Sequence, residues 1–366
     1  MREKVCFLMA TLEGNGAEKM VTYISNKVVN TIDSEVFLIL FRKKGENLDK
    51  LDLKIKIVDL NSDLNIAGIL KLVLILKKIS PNKIFISLGP LNAIFSLFLF
   101  LFKKSKVIAR ETNIPSIINK FKAKEKNIYK LIDVLYKITY KYYDLIIVQS
   151  DDMREDLEKK YKIPPNKIKK INNLVDFELI NKSFNSKDKH FLELFKEKKI
   201  YGIAMGRLTE QKGFDLLIER LKEVKKINIK IFILGRGEEK ENLNKKIKKY
   251  EIEEKIEILE FDSNPFKYLK KADFFLLPSR VEGFPNSLIE ALGVGLPAIV
   301  NNCKGGIKEI IISGFNGEIV DFTQKDLDLE KEIIKILQYD RLKIKGDIVK
   351  RFDKKIILNE YLEEFR

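Results

Sequence analysis

Two glutamates, Glu282 and Glu290, close the two ends of the string Glu-Gly-Phe-Pro-Asn-Ser-Leu-Ile-Glu. The apolar run at 274–277 reads as a buried parallel strand. Glu282, Gly283, Phe284 and Pro285 then form a turn. Asn286 suits an N-cap, and Ser287 onward has helical spacing with Leu288, Ile289 and Leu292 apolar. Gly295 and Pro297 stop that helix before a further apolar strand. A strand feeding a helix N-terminus through a glycine turn offers backbone amides and the positive dipole end to an anion. Glu290, four residues after Asn286, lies on the same helix face, one turn deeper. One carboxylate can meet hydroxyls at the loop and the other a diol beside the helix. A surface Glu and a helix-face Glu of any α/β protein would look the same.

Cations that could neutralise such an anion lie upstream. Arg207 and Lys212 occupy Gly-Arg-Leu-Thr-Glu-Gln-Lys-Gly, after an apolar strand. A forked guanidinium and a mobile ammonium can clamp a diphosphate, although two cations near a turn are common. Gly235 and Arg236 form a glycine turn after the strand at 229–234. Near the N-terminus, Gly14 and Gly16 separate a strand from a helix. This is a Rossmann-like opening without the third glycine of the dinucleotide fingerprint, and Met20 does not fill that place. A tight strand-to-helix turn is the alternative.

The elements that must hold these groups alternate strand and helix along 366 residues, too many for one ordinary core. The boundaries expected are a domain at 1–178, a polar linker at 179–198, a second domain at 199–345 and a tail at 346–366, with a helix over 351–365. Residues 91–102 read as one very apolar helix, a piece of buried core or a membrane contact. Residues 121–143 read as one long helix carrying Lys122, Lys124, Lys126, Lys130, Lys137 and Lys141 among five tyrosines. That helix suits a lipid headgroup interface, RNA, or a solvated face with a tyrosine edge. Cys6 and Cys303 lie far apart and His190 is the single histidine, which argues against a disulfide framework, a zinc site and histidine-based catalysis.

The string around Glu282 and Glu290 resembles the Glu-x7-Glu signature of the family 4 retaining glycosyltransferases, and Gly206 to Gly213 resembles their Gly-Arg-Leu-x-x-x-Lys-Gly pattern. The resemblance implies the GT-B fold: α/β, two Rossmann-like domains facing across a cleft, with a C-terminal helix returning to the first. It implies that Glu282 lies near the donor sugar and Glu290 holds the ribose. Arg207 and Lys212 would take the diphosphate. Amides around Gly283, Phe284, Asn286, Ser287 and Leu288 would hold sugar hydroxyls and the distal phosphate. Gly14, Gly16, Gly235 and Arg236 would line the donor site, and the loop 261–265 would lie near the base, with no single residue of it assigned. Glu111 and Thr112 are acceptor-side candidates. Many relatives carry histidine where this chain has Thr112, so a histidine-assisted step is not expected.

The implied reaction moves a hexose or N-acetylhexosamine from a UDP-sugar to a polyprenyl-diphosphate-linked saccharide, with no cofactor and no metal. A nucleotide-sugar 2-epimerase on the same fold is one alternative. A basic nucleic-acid-binding protein is another, because the net charge is +16. The charge is uneven, with fifteen basic and three acidic residues over 64–143. A basic, apolar first half suits an anionic membrane surface better than a base-reading groove. The longest apolar run is about half of the ~20 residues needed to span a bilayer. The short apolar N-terminus reads as strand one, not a signal peptide. A cytoplasmic protein, peripheral on the inner face of the plasma membrane and not bound to nucleic acid, is the expectation.

Overall fold

The computed structural model describes residues 2–14, 16–123, 127–182, 189–262 and 264–366. The chain divides into two units, Met1–Asn173 with Lys355–Arg366, and Leu174–Lys354. The first holds seven strands: β1 (Glu3–Met9), β2 (Ser34–Leu40), β3 (Lys56–Asp59), β4 (Lys83–Ile86), β5 (Lys106–Arg110), β6 (Leu145–Val148) and β7 (Ile168–Lys170). They pair in the order β3-β2-β1-β4-β5-β6-β7, all parallel. Helical connections cover both faces of a parallel sheet, so its central strands are nearly continuously apolar; β1 buries Val5, Cys6, Phe7, Leu8 and Met9 in succession.

The second unit repeats the plan with β8 (Ile200–Met205), β9 (Ile229–Leu234), β10 (Ile256–Leu259), β11 (Phe274–Leu277), β12 (Ala298–Asn301) and β13 (Gly317–Val320). Their order is β10-β9-β8-β11-β12-β13, again parallel. In each sheet the order reverses beside the first strand, and the loops at the carboxyl ends there form the crevice where such sheets bind ligands.

Several elements differ from the sequence reading. The apolar stretch 91–102 is a helix over Gly89–Phe95 followed by a 3-10 helix over Ser96–Leu101. Ser96 Oγ donates to Ala93 O at 2.6 Å, a side-chain bond that competes with regular helix. The expected helix over 121–143 is two helices, Pro115–Ala123 and Ile128–Ile138, and a 3-10 turn Tyr140–Tyr142. Lys124 and Lys126 lie outside the described residues. Tyr143 leaves the helical path and donates its hydroxyl to Asn92 O at 2.6 Å.

The tail also breaks in two, at Arg341–Phe352 and Lys354–Glu363. Asp353 forms a parallel bridge with Val175. Val175 N donates to Phe352 O at 2.7 Å and Lys354 N to Val175 O at 3.0 Å, which holds Asp353 extended. Residues 355–366 belong to the first unit. The Phe365 ring lies 5.4 Å from Phe7 and 5.7 Å from Phe85, and Lys83 Nζ donates to Phe365 O at 2.9 Å. The first unit ends at Asn173 rather than 178. The polar stretch read as a linker is part of the second unit, with helices at Phe177–Lys182 and Lys189–Glu193. Residues 183–188 lie outside the described set.

Candidate active site

The loops after β8 and β11 flank the point where the second sheet reverses, and they bring Lys212 and Glu282 together. Lys212 Nζ lies 2.6 Å from Glu282 Oε1. Ser279 Oγ donates to the same oxygen at 2.6 Å. The side chains are 15% and 7% exposed, so the pair is shielded but reachable. Charge-assisted bonds in such a place are stronger than at an open surface.

Two further contacts hold the β8 and β11 sides in register, and a third ties the β11 loop to the end of β12. Arg280 makes a fork to Asp215, with Nη1 and Nη2 each 2.7 Å from a carboxylate oxygen. Gln211 Nε2 donates to Val281 O at 3.0 Å, and Asn301 Nδ2 to Ser279 O at 2.9 Å. Burial raises the Asp215 carboxyl, but the Arg280 hydrogen bonds and charge outweigh it and hold it below the usual carboxylate value. The Asp215 bonds in turn push the guanidinium up.

Two glycines allow this approach. Gly213 has φ +65°, and a Cβ there would sit 2.1 Å from Pro278 O. Gly305 has φ +126°, and its Cβ would meet Glu282 O at 2.1 Å. A side chain at either place would push the carrier loops apart.

The helix after the Glu282 turn spans Asn286–Val294. Asn286 is its first helical residue and Pro285 takes the N-cap position, with Pro285 O accepting from Leu288 N at 3.2 Å. Asn286, Ser287 and Glu290 are half-buried; Gly283, Phe284 and Leu288 are buried. The Phe284 ring packs 5.5 Å from Phe352, so the ring serves the core. Arg207 is exposed at the end of β8. Gly235 and Arg236 follow β9, tied to the β8 loop by Leu208 N donating to Arg236 O at 2.9 Å. The Arg236 guanidinium lies 4.8 Å from the Phe261 ring centroid. Ser263 lies outside the described residues. Thus Arg207, Lys212, Gly235, Arg236, Glu282, Asn286 and Glu290 all sit at the carboxyl end of one sheet.

The remaining candidates are in the first unit. Gly14 is exposed after β1 and Gly16 opens the helix Gly16–Thr31; Asn15 lies outside the described residues. Thr112 is half-buried. Glu111 is only 2% exposed, a correction to its reading as a group facing an acceptor. Its carboxylate accepts from Asn92 Nδ2 at 2.9 Å and Tyr136 Oη at 3.0 Å, and also from Tyr140 Oη. Burial raises its pKa despite these bonds from Tyr140, Asn92 and Tyr136. Arg110 is buried beside it and donates to Tyr361 Oη at 2.9 Å, Ser87 Oγ at 3.0 Å and Asn173 Oδ1 at 2.5 Å.

Sequence reasoning assigned no role to Ser279, Arg280, Asp215, Gln211 or Asn301. Gln211 stands inside the Gly206–Gly213 motif, and Ser279, Arg280 and Asp215 lie within three residues of a motif's end, a signal of position but not of pairing. Among the described residues no cluster of His, Cys, Asp and Glu has metal-binding geometry, and no helix is long and apolar enough to cross a membrane.

Residues 185–351 match the family model described as Glycosyl transferases group 1, a span that contains Arg207, Lys212, Glu282 and Glu290. An uncharacterized glycosyltransferase of Methanocaldococcus jannaschii is 38% identical over 190 residues, covering 51% of this chain and 47% of that protein. A protein of Campylobacter jejuni, N-acetylgalactosamine-N,N'-diacetylbacillosaminyl-diphospho-undecaprenol 4-alpha-N-acetylgalactosaminyltransferase, is 34% identical over 204 residues, covering 56% of this chain and 50% of that one. The chain spans about half the length of these curated relatives. Among solved structures, Anabaena HepE in complex with UDP-glucose aligns with a TM-score of 0.80 at 17% identity, covering 99% of both chains. The architecture, two Rossmann-like parallel-sheet domains, is that of the GT-B glycosyltransferases.

Proposed function

We propose that this protein is a family 4 retaining glycosyltransferase. It moves a hexose or N-acetylhexosamine from a UDP-sugar to a polyprenyl-diphosphate-linked saccharide, in surface-glycan assembly at the cytoplasmic face of the plasma membrane. The observation that carries the reading is the Lys212–Glu282 contact at 2.6 Å, beside a helix N-terminus and inside the glycosyltransferase-matching span. The names of the Campylobacter relative and of the HepE complex supply the acceptor and donor classes.

In this reading a bound diphosphate takes over Lys212 and releases Glu282 toward the sugar. Arg207, Lys212 and the start of the Asn286–Val294 helix stabilise the leaving nucleoside diphosphate as the anomeric bond breaks, with no metal required. Glu290 holds the ribose. The acceptor hydroxyl attacks the same face, and its proton passes to a leaving phosphate oxygen. Gly14 and Gly16 contribute backbone contacts, and Thr112 lies on the acceptor side.

The test is a thermal-shift panel of UDP-glucose, UDP-N-acetylglucosamine, UDP-galactose and UDP-N-acetylgalactosamine. Binding at a hundred times Kd adds about 2.7 kcal/mol to the folded state. One of the four raises Tm in the wild type and fails to do so in Glu290→Ala. No response to any UDP-sugar overturns the reading.

A further inference from the structure

The outer face of the first unit exposes aliphatic and aromatic side chains that its core does not use. On the helix Ile66–Ile79, Leu72 and Leu76 face inward while Leu70 and Leu74, one turn apart, face solvent, Leu74 at 67% exposure. The 3-10 helix Ser96–Leu101 buries Leu99 and exposes Phe100 at 65%. On the helix Ile128–Ile138, Ile132, Leu135 and Tyr136 are buried, and Leu131, Val134 and Ile138 form an exposed stripe, Leu131 at 53%. A helix apolar on both sides has a second partner, because a monomer's surface rarely gathers such residues into one patch.

These three elements share a side of the sheet. They belong to the connections β3–β4, β4–β5 and β5–β6, which all step the same way across it. Right-handed crossovers place such connections on one face, and their inward residues form one core cluster.

The charge around the patch has one sign. Lys77 and Lys78 end the first helix. Lys103 and Lys104 follow the 3-10 element, and Lys130 and Lys137 flank the third stripe, all exposed. Among the described residues of these elements, Asp133 is the one acid. It is occupied by Lys137 at 2.7 Å and by the Tyr161 hydroxyl at 2.6 Å. Three of the tyrosines of the basic stretch, Tyr136, Tyr140 and Tyr143, are buried rather than facing out.

We infer that this face is a docking surface for an anionic lipid bilayer. The exposed apolar side chains enter the headgroup–acyl boundary and the lysines lie in the phosphate plane. A second copy of the chain fits worse, since two such faces would bring lysine against lysine. Nucleic acid would satisfy the charge but leave the aliphatic stripe in contact with phosphate. The inference rests on the lipid-linked-acceptor reading for its purpose, and it gives the site whose presence that reading needs.

The experiment is flotation of the full chain, without nucleotide-sugar, on vesicles of phosphatidylcholine with or without phosphatidylglycerol. The wild type floats with the anionic vesicles and not with the neutral ones. Leu74→Glu and Leu131→Glu each reduce the bound fraction at least ten-fold, whereas Leu342→Glu, an exposed leucine of the second unit, leaves it unchanged. Lys103→Gln costs about five-fold, the equivalent of ~1 kcal/mol per lysine near the surface. Circular dichroism confirms that each variant is folded.

Failure of the wild type to float even at low ionic strength overturns the proposal, as does wild-type flotation of both leucine variants. A sedimentation-velocity dimer that Leu131→Glu converts to monomer also overturns it, in favour of a self-interface. The UDP-sugar thermal shift is measured without vesicles, so loss of the donor reading and loss of the docking surface register separately.

Discussion

The two parallel sheets solve the same problem in opposite ways. Each places charged residues at or beyond the carboxyl ends of its strands, after β5 in the first unit and in the loops flanking the reversal point in the second. In the first unit these are Arg110 and Glu111, and both are buried with partners on several sides. In the second unit they are Lys212 and Glu282, which share one short contact and keep part of their surface in solvent. A carboxylate enclosed by two tyrosines and an asparagine is committed to the fold. One held by a single lysine and a serine can exchange its partner for a ligand. Position on the sheet therefore does not distinguish the two carboxylates; the number of partners each already holds does.

That contrast is sharpest in stability. Glu111→Ala leaves Asn92, Tyr136 and Tyr140 facing a void, and should cost about 3 kcal/mol of unfolding free energy, measured by chemical denaturation. A loss below the ~0.5 kcal/mol typical of surface changes would erase the distinction between the two units.

The complementary effect is kinetic. Lys212→Ala and Glu290→Ala should each reduce turnover about ten-fold or more, equivalent to ~1.4 kcal/mol in the transition state. Steady-state rates with the UDP-sugar picked out by thermal shift provide the measure, and wild-type-like rates in both variants reject the site. Arg280→Ala removes the fork that holds the two carrier loops together. It should cost about 1 kcal/mol of stability, since both partners are about two-thirds buried and retain some solvent.

The last test uses pH. Burial raises the pKa of Glu111 in the folded chain. Its contribution is therefore fully present below the unfolded value of about 4.3 and is lost as pH rises through the folded one. Glu111→Gln carries no such titration. The stability advantage of wild type over that variant should shrink as pH climbs through this window, and a pH-independent difference would mean the carboxylate is solvated.

The strand plan was legible because parallel strands buried on both faces leave runs such as Val5–Met9 and Phe274–Leu277 with almost no polar interruption. The motifs that carry Lys212, Glu282 and Glu290 were legible because they are long, and the structure brings Lys212 to Glu282. Less legible was the fate of Glu111, which in sequence looks as available as Glu282. Its tyrosine partners are 25 and 29 residues downstream, inside what read as a basic helix. Asp353 is similar: nothing local breaks that tail helix, and Val175, nearly half the chain away, does.

The sequence by itself determined the alternation of strand and helix, the placing of charged groups at strand ends, and the excess of basic over acidic residues in 64–143. These depend on residue type and short spacing. Only the tertiary structure decided which charges were consumed and which kept capacity, and which apolar side chains stayed outside the core. Both outcomes turn on what distant segments bring within a few ångströms, and no periodicity in one dimension carries that information.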